Sequence, residues 1–261
     1  MTELIHGMPF PDYLSLDRLS SSGLKALARS PAHLAYASTH HSPASPAQAL
    51  GTHVHGLLLE PETYRAAIVP ECDRRTKAGK EMYASFLSES VGAHVVTQDQ
   101  HDKAIAMRDA VLAQPYAAAL LAVGKPEVTA LWETDGVECK ARFDWLPSGH
   151  QVLVDLKTAS EADYDGFARA AGRYKYAYQA SLYNMASKAC GLGDRPMIFI
   201  VVENEAPFAV ALYTLDEEAI YSATHRIERL LEQYAECRAS GVFSGYPMEV
   251  QTLTLPRWAT A

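Results

Sequence analysis

Asp144, Asp155 and Lys157 are two acids and a lysine set close together in a stretch that otherwise reads as apolar strand. The stretch begins Lys-Ala-Arg-Phe-Asp-Trp-Leu-Pro at Lys140, turns at Ser148-Gly149, and runs Gln-Val-Leu-Val-Asp-Leu-Lys from Gln151 to Lys157. Strand alternation puts Asp155 and Lys157 on one face, roughly 7 Å apart at about 3.3 Å per residue. Val152, Val154 and Leu156 take the other face. In the preceding strand Cys139, Ala141, Phe143 and Trp145 alternate with Lys140, Arg142 and Asp144. A hairpin is therefore expected to gather Asp144, Asp155 and Lys157 on one wet face. Charges this close on an apolar scaffold are costly to desolvate unless each has a partner. Two carboxylates beside an ammonium suit a hard divalent cation and a phosphate.

The elements that must position these groups follow from periodicity and breakers. Ser20 to Arg29 reads as a short capped helix ended by Ser30-Pro31. Residues 38–47 form a loop rich in Ser and Pro, and a helix is expected from Ala47 to Leu59, before Pro61. Residues 70–82 are charged and poor in large apolar side chains, which predicts a mobile loop. Two helices are expected between Gln98 and Val123, split at Pro115. Val128–Thr134, Val137–Trp145 and Gln151–Leu156 then read as consecutive strands, with Asp135-Gly136 and Ser148-Gly149 as turns. A long helix from Tyr164 to Ala189, broken at Gly172, leads to strands at Met197–Val202 and Ala209–Thr214 and a helix over Glu217–Ser240. The order predicts a mixed α/β core with a helical N-terminal portion. We expect one domain over 1–261: a mainly helical 1–125, a sheet-and-helix part over 126–240 that carries the site, and a tail over 241–261.

Composition narrows the classes. The chain has 261 residues, 48% hydrophobic and 21% charged, as in an ordinary globular protein able to bury a sizeable core. It contains no apolar run long enough to span a bilayer and no signal-peptide pattern at its N-terminus, so no membrane association and a cytoplasmic setting are expected. Cys72, Cys139, Cys190 and Cys237 are scattered, which fits free thiols better than disulfides or a zinc site. A net charge of −8 argues against coating nucleic acid by bulk attraction, though basic groups confined to one groove would still serve.

With Asp144 and Asp155-Leu156-Lys157 in this order of elements, the chain resembles the PD-(D/E)XK nuclease superfamily. Leu50-Gly-Thr-His-Val-His-Gly-Leu-Leu-Leu-Glu-Pro-Glu, the Ser-rich first helix and Gln179-Ala-Ser-Leu-Tyr183 resemble more narrowly the phage and prophage exonuclease VIII family, the RecE-type domain related to lambda exonuclease. The resemblance covers about residues 15–258. It implies a central mixed sheet with a three-stranded antiparallel meander, flanked by helices. It also implies a magnesium-dependent exonuclease that degrades one strand of linear duplex DNA from its 5′ end. The 3′ tail would go to a RecT- or Beta-type single-strand annealing partner. Two magnesium ions are implied, with manganese able to substitute, as are a toroidal trimer or tetramer and a phage or prophage gene in a bacterial host.

Roles can be set out residue by residue. Asp144 is the expected bridging metal ligand, Asp155 the second ligand, and the backbone carbonyl of Leu156 a third donor. Lys157 would orient the attacking water or stabilise charge on the phosphate. The competing readings are a surface acid paired with Arg142 or Lys140, a strand-end acid, and a solvated lysine. His55 lies where the resemblance places a metal-ligating histidine. His53 is the alternative, and the two cannot face one site, being about 200° apart on a helix. A backbone-bonded helix histidine is the competing reading. Glu127 stands where related nucleases carry an extra acid, with Glu133 as competitor. Gln179 and Tyr183 are i, i+4 on one helical face, and Lys175 extends that line. Ser22, Lys25 and Arg29 are candidates for a 5′-phosphate pocket. Arg142, Lys175 and Tyr176 are further candidate DNA contacts, Tyr176 within a Tyr-Lys-Tyr-Ala-Tyr run suited to stacking. Other readings are an end-processing nuclease, whose relatives commonly hold an iron–sulfur cluster on four cysteines, a restriction-type endonuclease, and a non-catalytic DNA-end-binding recombination protein.

Overall fold

The structure is a computed structural model that describes residues 2–40 and 43–255. Positions 41–42 of the Ser/Pro loop and 256–261 of the expected tail lie outside the described residues. The chain opens with β1 (Glu3–Ile5), α1 (Phe10–Ser15), α2 (Ser21–Leu27), α3 (Pro31–Thr39) and α4 (Pro46–Leu59). It continues with β2 (Ala66–Ile68), α5 (Lys77–Glu89), β3 (His94–Val96), α6 (Gln98–Ala113) and α7 (Pro115–Leu121). The remainder is β4 (Gly124–Thr134), β5 (Val137–Pro147), β6 (Leu153–Ala159), α8 (Tyr164–Tyr174), α9 (Tyr176–Ala189), β7 (Met197–Glu203), β8 (Val210–Tyr213) and α10 (Glu217–Ser240).

The main sheet has the order β1-β4-β5-β6-β7-β8. Its pairs are antiparallel except β6–β7, so β4-β5-β6 is the expected meander inside a mixed sheet. β2 and β3 form a separate parallel pair. Both faces of the sheet are covered. Phe143, Leu153, Phe199 and Val201 pack with Leu24 and Leu27 of α2, Leu182 of α9 and Leu230 of α10. Val154, Leu156, Ile200 and Val202 pack with Val54 of α4, Met107 of α6 and Ala117 of α7. Doubly covered strands explain the near-continuous apolar runs of β6 and β7.

Local chemistry accounts for most boundaries. Asp135 and Gly136 both have positive φ, 50° and 74°, as the two-residue turn between β4 and β5 demands. Ser45 and Gln48 make a reciprocal capping box at α4, with Pro46 at its first turn. Gly241, φ 71°, ends α10.

Several expectations are corrected. Ser30-Pro31 ends one helix but also begins another: Ser30 Oγ accepts the His33 N–H at the start of α3, and Pro31 needs no amide donor there. The charged segment 70–82 is not a loop throughout, because Thr76 caps α5 and accepts from the Gly79 N–H. The long helix breaks at Lys175, φ 52°, and not at Gly172. β1, α1 and the β2–β3 pair carry too few residues to announce themselves by period.

Candidate active site

The meander comes apart where the acids lie. β5 and β6 pair only at Trp145–Val154. Beyond that point the Asp144 side chain takes over the ladder: its Oδ2 accepts the backbone N–H of Leu156 at 3.0 Å. The expected wet hairpin face is thus replaced by a fork between diverging strands, and Asp155 within it is only 1% exposed. One helix from each face of the sheet closes the fork. α4 brings His55, whose Nε2 meets the Leu156 carbonyl at 2.9 Å while Nδ1 lies 3.7 Å from Asp144 Oδ2. Close approach of α4 to β6 uses Gly51, where an added Cβ would stand 3.3 Å from Thr158 Oγ1. α9 brings Gln179, whose Nε2 donates to Asp155 Oδ1 at 2.5 Å and whose Oε1 accepts from Lys157 Nζ at 3.3 Å.

Lys157 Nζ is 2.5 Å from Asp155 Oδ2 and 4.9 Å from the centroid of the Tyr176 ring. The contact to Oδ2 is one of charge; that oxygen accepts no well-aligned hydrogen bond. Burial alone would lower the Lys157 pKa, but Asp155 and Asp144 raise it above the ordinary lysine value, so the ammonium stays charged.

Glu127 joins the cluster by an unusual backbone. Glu127 and Asp144 face each other between the pairs Pro126–Trp145 and Val128–Phe143, yet they do not pair, because Glu127 has φ 49°. A left-handed glutamate inside a strand costs on the order of 1–3 kcal/mol and survives only where its surroundings hold it. Here Arg142 Nε donates to the Glu127 carboxylate, and Nη1 donates to the Met8 carbonyl at 2.7 Å. Ligand atoms of His55, Glu127 and Asp144 all lie within 4.8 Å of one another.

Charge shows what this cluster lacks. Burial, and then the Asp155 charge, push the Asp144 carboxyl up to about 8. Burial and Asp144 push Glu127 up to about 7 despite its arginine. Arg142 is committed to Glu127 and Lys157 to Asp155, so among the described residues Asp144 keeps one hydrogen bond, from the Leu156 amide. His55 is driven toward its neutral form by burial and by Lys157, so an imidazole lone pair is available. Two carboxylates, Asp144 and Glu127, with a neutral imidazole and a carbonyl fit a divalent cation; Asp155, the second ligand expected from the sequence, stands outside this group, with Oδ1 on Gln179 and Oδ2 against Lys157. The 2.9 Å contact between His55 Nε2 and Leu156 O is a hydrogen bond to the carbonyl, which leaves Nδ1, on the Asp144 side, as the nitrogen with the free lone pair. Bound among these residues, such an ion would neutralise phosphate charge and activate a water.

The other sequence candidates are placed as follows. His53 faces away from the fork: it is fully buried, and its Nδ1 meets Tyr64 Oη at 2.8 Å and its Nε2 meets His101 Nδ1 at 3.0 Å. Tyr183 lies in the core, edge-on to Phe143 with centroids 5.4 Å apart. Burial raises its phenol well above the ordinary value. Lys175 does not extend a helical line to Gln179, because it sits in the left-handed junction before α9, 5.3 Å from the Tyr178 ring centroid. Lys25 reaches the fork from α2, 5.6 Å from the Tyr176 ring centroid, and burial and Lys157 lower its pKa to about 8. Ser22 is exposed on the same helix, and Arg29 is exposed in the turn that follows it. Glu133 stays in β4, away from the Glu127 cluster. The four cysteines are free thiols. The sequence reading missed the N-terminal segment that flanks Arg142: Phe10 and Tyr13 present their rings 5.7 and 5.8 Å from its Cζ. Nothing local in Met8-Pro-Phe-Pro ties it to a strand more than a hundred residues on.

A split meander with an Asp…Asp-x-Lys set at the fork and a helix closing it from each face defines a PD-(D/E)XK nuclease, a hydrolase acting on DNA. The chain belongs to the family described as "PDDEXK-like domain of unknown function (DUF3799)", which it matches over residues 20–254. Its fold is similar to the crystal structure of a Eubacterium rectale protein described as a "putative exonuclease", with a TM-score of 0.66 at 14% identity over 97% of this chain and 96% of that one. A second solved structure, that of SSO0001, shares 15% identity over 71% of this chain and 84% of the other, and its TM-score of 0.30 is too low to support any argument. No curated protein matches the chain. Among the described residues no helix is long and apolar enough to cross a membrane.

Proposed function

We propose that this protein is a magnesium-dependent exonuclease that digests one strand of linear duplex DNA from the 5′ end and leaves a 3′ tail for a single-strand annealing partner. The observation that carries the reading is the fork, where Asp144, Glu127, His55 and the Leu156 carbonyl converge next to the Asp155–Lys157 pair. The exonuclease VIII resemblance and the E. rectale neighbour's description favour an exonuclease over other nucleases. Magnesium is favoured over softer metals because the donors are mostly oxygen, and manganese would tolerate the imidazole.

Within this reading the chain's own groups divide the work. Lys157 holds a positive charge where the phosphate must gain negative charge, and Gln179 fixes it by bridging to Asp155. The strand's backbone phosphates lie toward Lys157, Lys25 and Tyr176. Residues 1–261 act as one nuclease domain, in the cytoplasm, as a toroidal homo-oligomer. The test is digestion of end-labelled linear duplex with magnesium, wild type beside Asp155→Ala. Release of label from the 5′ end by the wild type alone is expected. Equal digestion by both proteins would remove the assignment, and release from the 3′ end would reverse the polarity.

A further inference from the structure

Phe10 is an aromatic side chain 54% exposed to solvent at the edge of the fork. Its ring stacks on Tyr13, with centroids 6.3 Å apart at 18°, and lies 5.7 Å from the Arg142 guanidinium carbon. Arg142 in turn binds Glu127, so one cation links the ring to the metal-ligating cluster.

The segment that carries Phe10 is held at three points. β1 pairs with β4 through Glu3–Leu131 to Ile5–Thr129. Arg142 Nη1 binds the Met8 carbonyl. At the end of α1, Lys140 Nζ donates to the carbonyls of Tyr13 and Leu16, both at 2.8 Å, and to that of Leu14 at 3.3 Å. Pro9 and Pro11 flank Phe10 and fix φ on either side. A ring so firmly mounted and yet open to water differs from a surface residue that exposes its ring by chance. Leu14, one turn on and 52% exposed, extends the same apolar face.

The fork has two flanks. Lys157, Lys25 and Tyr176 lie on one, with two ammonium groups within 6 Å of one ring centroid. Among the described residues the Lys25 ammonium makes no hydrogen bond or ion pair, as an anion contact requires. Phe10 and Arg142 lie on the Glu127 side, where the guanidinium is taken up by the Glu127 carboxylate and the Met8 carbonyl. Resting on the nuclease reading above, we infer that Phe10 is a stacking platform for an unpaired nucleobase of the strand being cut. The base next to the scissile phosphate lies on its ring, while the phosphates run toward the lysines. Such a platform tolerates any base, because every base has a π-face.

The experiment uses the full chain in calcium, which supports binding without turnover, and DNA carrying 2-aminopurine at the terminal position or six positions inward. Wild-type protein is expected to quench the terminal fluorophore and not the inner one. Phe10→Ala should abolish the quenching and weaken binding about 5- to 100-fold, the range for losing one stacked base. Phe10→Trp should restore both, with the melting temperature held in all three proteins. Unchanged quenching in Phe10→Ala, while wild type cuts DNA in magnesium, overturns the platform and leaves the nuclease intact. A change in oligomer mass in Phe10→Ala with quenching kept also overturns it and assigns the face to subunit contact. Failure of the wild type to cut any DNA removes the nuclease reading itself.

Discussion

Lys140 on β5 and Lys157 on β6 both carry an ammonium into the body of the protein, but different atoms receive it. Lys140 is 6% exposed and donates to the carbonyls of Tyr13, Leu14 and Leu16. Its hydrogen-bond partners are fixed backbone dipoles, with the Tyr13 ring centroid 4.8 Å away, and burial lowers its pKa. Lys157 meets a carboxylate, a glutamine oxygen and an aromatic face, and its partners Asp155 and Asp144 raise its pKa. Lys140 fastens the N-terminal segment to the sheet. Lys157 is held by side chains at the fork, Asp155, Gln179 and Tyr176, and in the proposed nuclease it would face the phosphate. A buried lysine satisfied by backbone has a structural role; one satisfied by acids beside a carboxylate cluster is the one the nuclease proposal assigns to chemistry.

Substitutions can break this contrast. The largest effect is expected for Asp155→Asn, which removes the second ligand expected from the sequence and the counter-charge of Lys157 together. DNA digestion per folded molecule should fall by roughly 10³-fold or more, beyond the loss typical of one charge-stabilising group. Lys157→Gln should lower kcat by about 10²–10³-fold with KM for DNA nearly constant, as steady-state rates would show. Glu127→Gln keeps the shape but weakens the cluster. The metal concentration for half-maximal activity should rise about 10- to 100-fold. Lys140→Met should do the reverse of Lys157→Gln: it orphans carbonyls at the end of α1, costing about 2–3 kcal/mol and lowering Tm on the order of 5–10 °C. Its kcat per folded molecule should change least of the four. A large kcat loss in Lys140→Met, at a temperature where it is folded, would erase the distinction between the two lysines.

Much of this was legible in the chain. The apolar alternation of β4 and β5, the Asp135-Gly136 turn and the capped ends of α4 and α10 are local signals, and they set the meander and its flanking helices. The Asp-x-Lys pair on β6 is legible as a candidate site for a cation and a phosphate. The fork itself was not legible, because alternation assumes that neighbouring strands stay paired, and β5 and β6 do not. Nor was the choice between His55 and His53, which share a helix; packing decides it, with Tyr64 and His101 taking His53. Glu127 depends on a left-handed φ that no propensity assigns to glutamate. Lys175 breaks the helix where Gly172 was the obvious breaker, since glycine tolerates a helix interior and a left-handed lysine is a tertiary outcome. Phe10 lies beside Arg142 only because β1 pairs with β4, a contact three residues long.

The proposed nuclease requires a divalent cation in the fork between β5 and β6. Manganese soaked into crystals of the full chain, located by its anomalous scattering, tests it most directly. The expected result is a peak bounded by Asp144, Glu127, His55 and the Leu156 carbonyl, lost in Asp144→Asn. A protein that digests DNA with manganese while the fork shows no peak would contradict it.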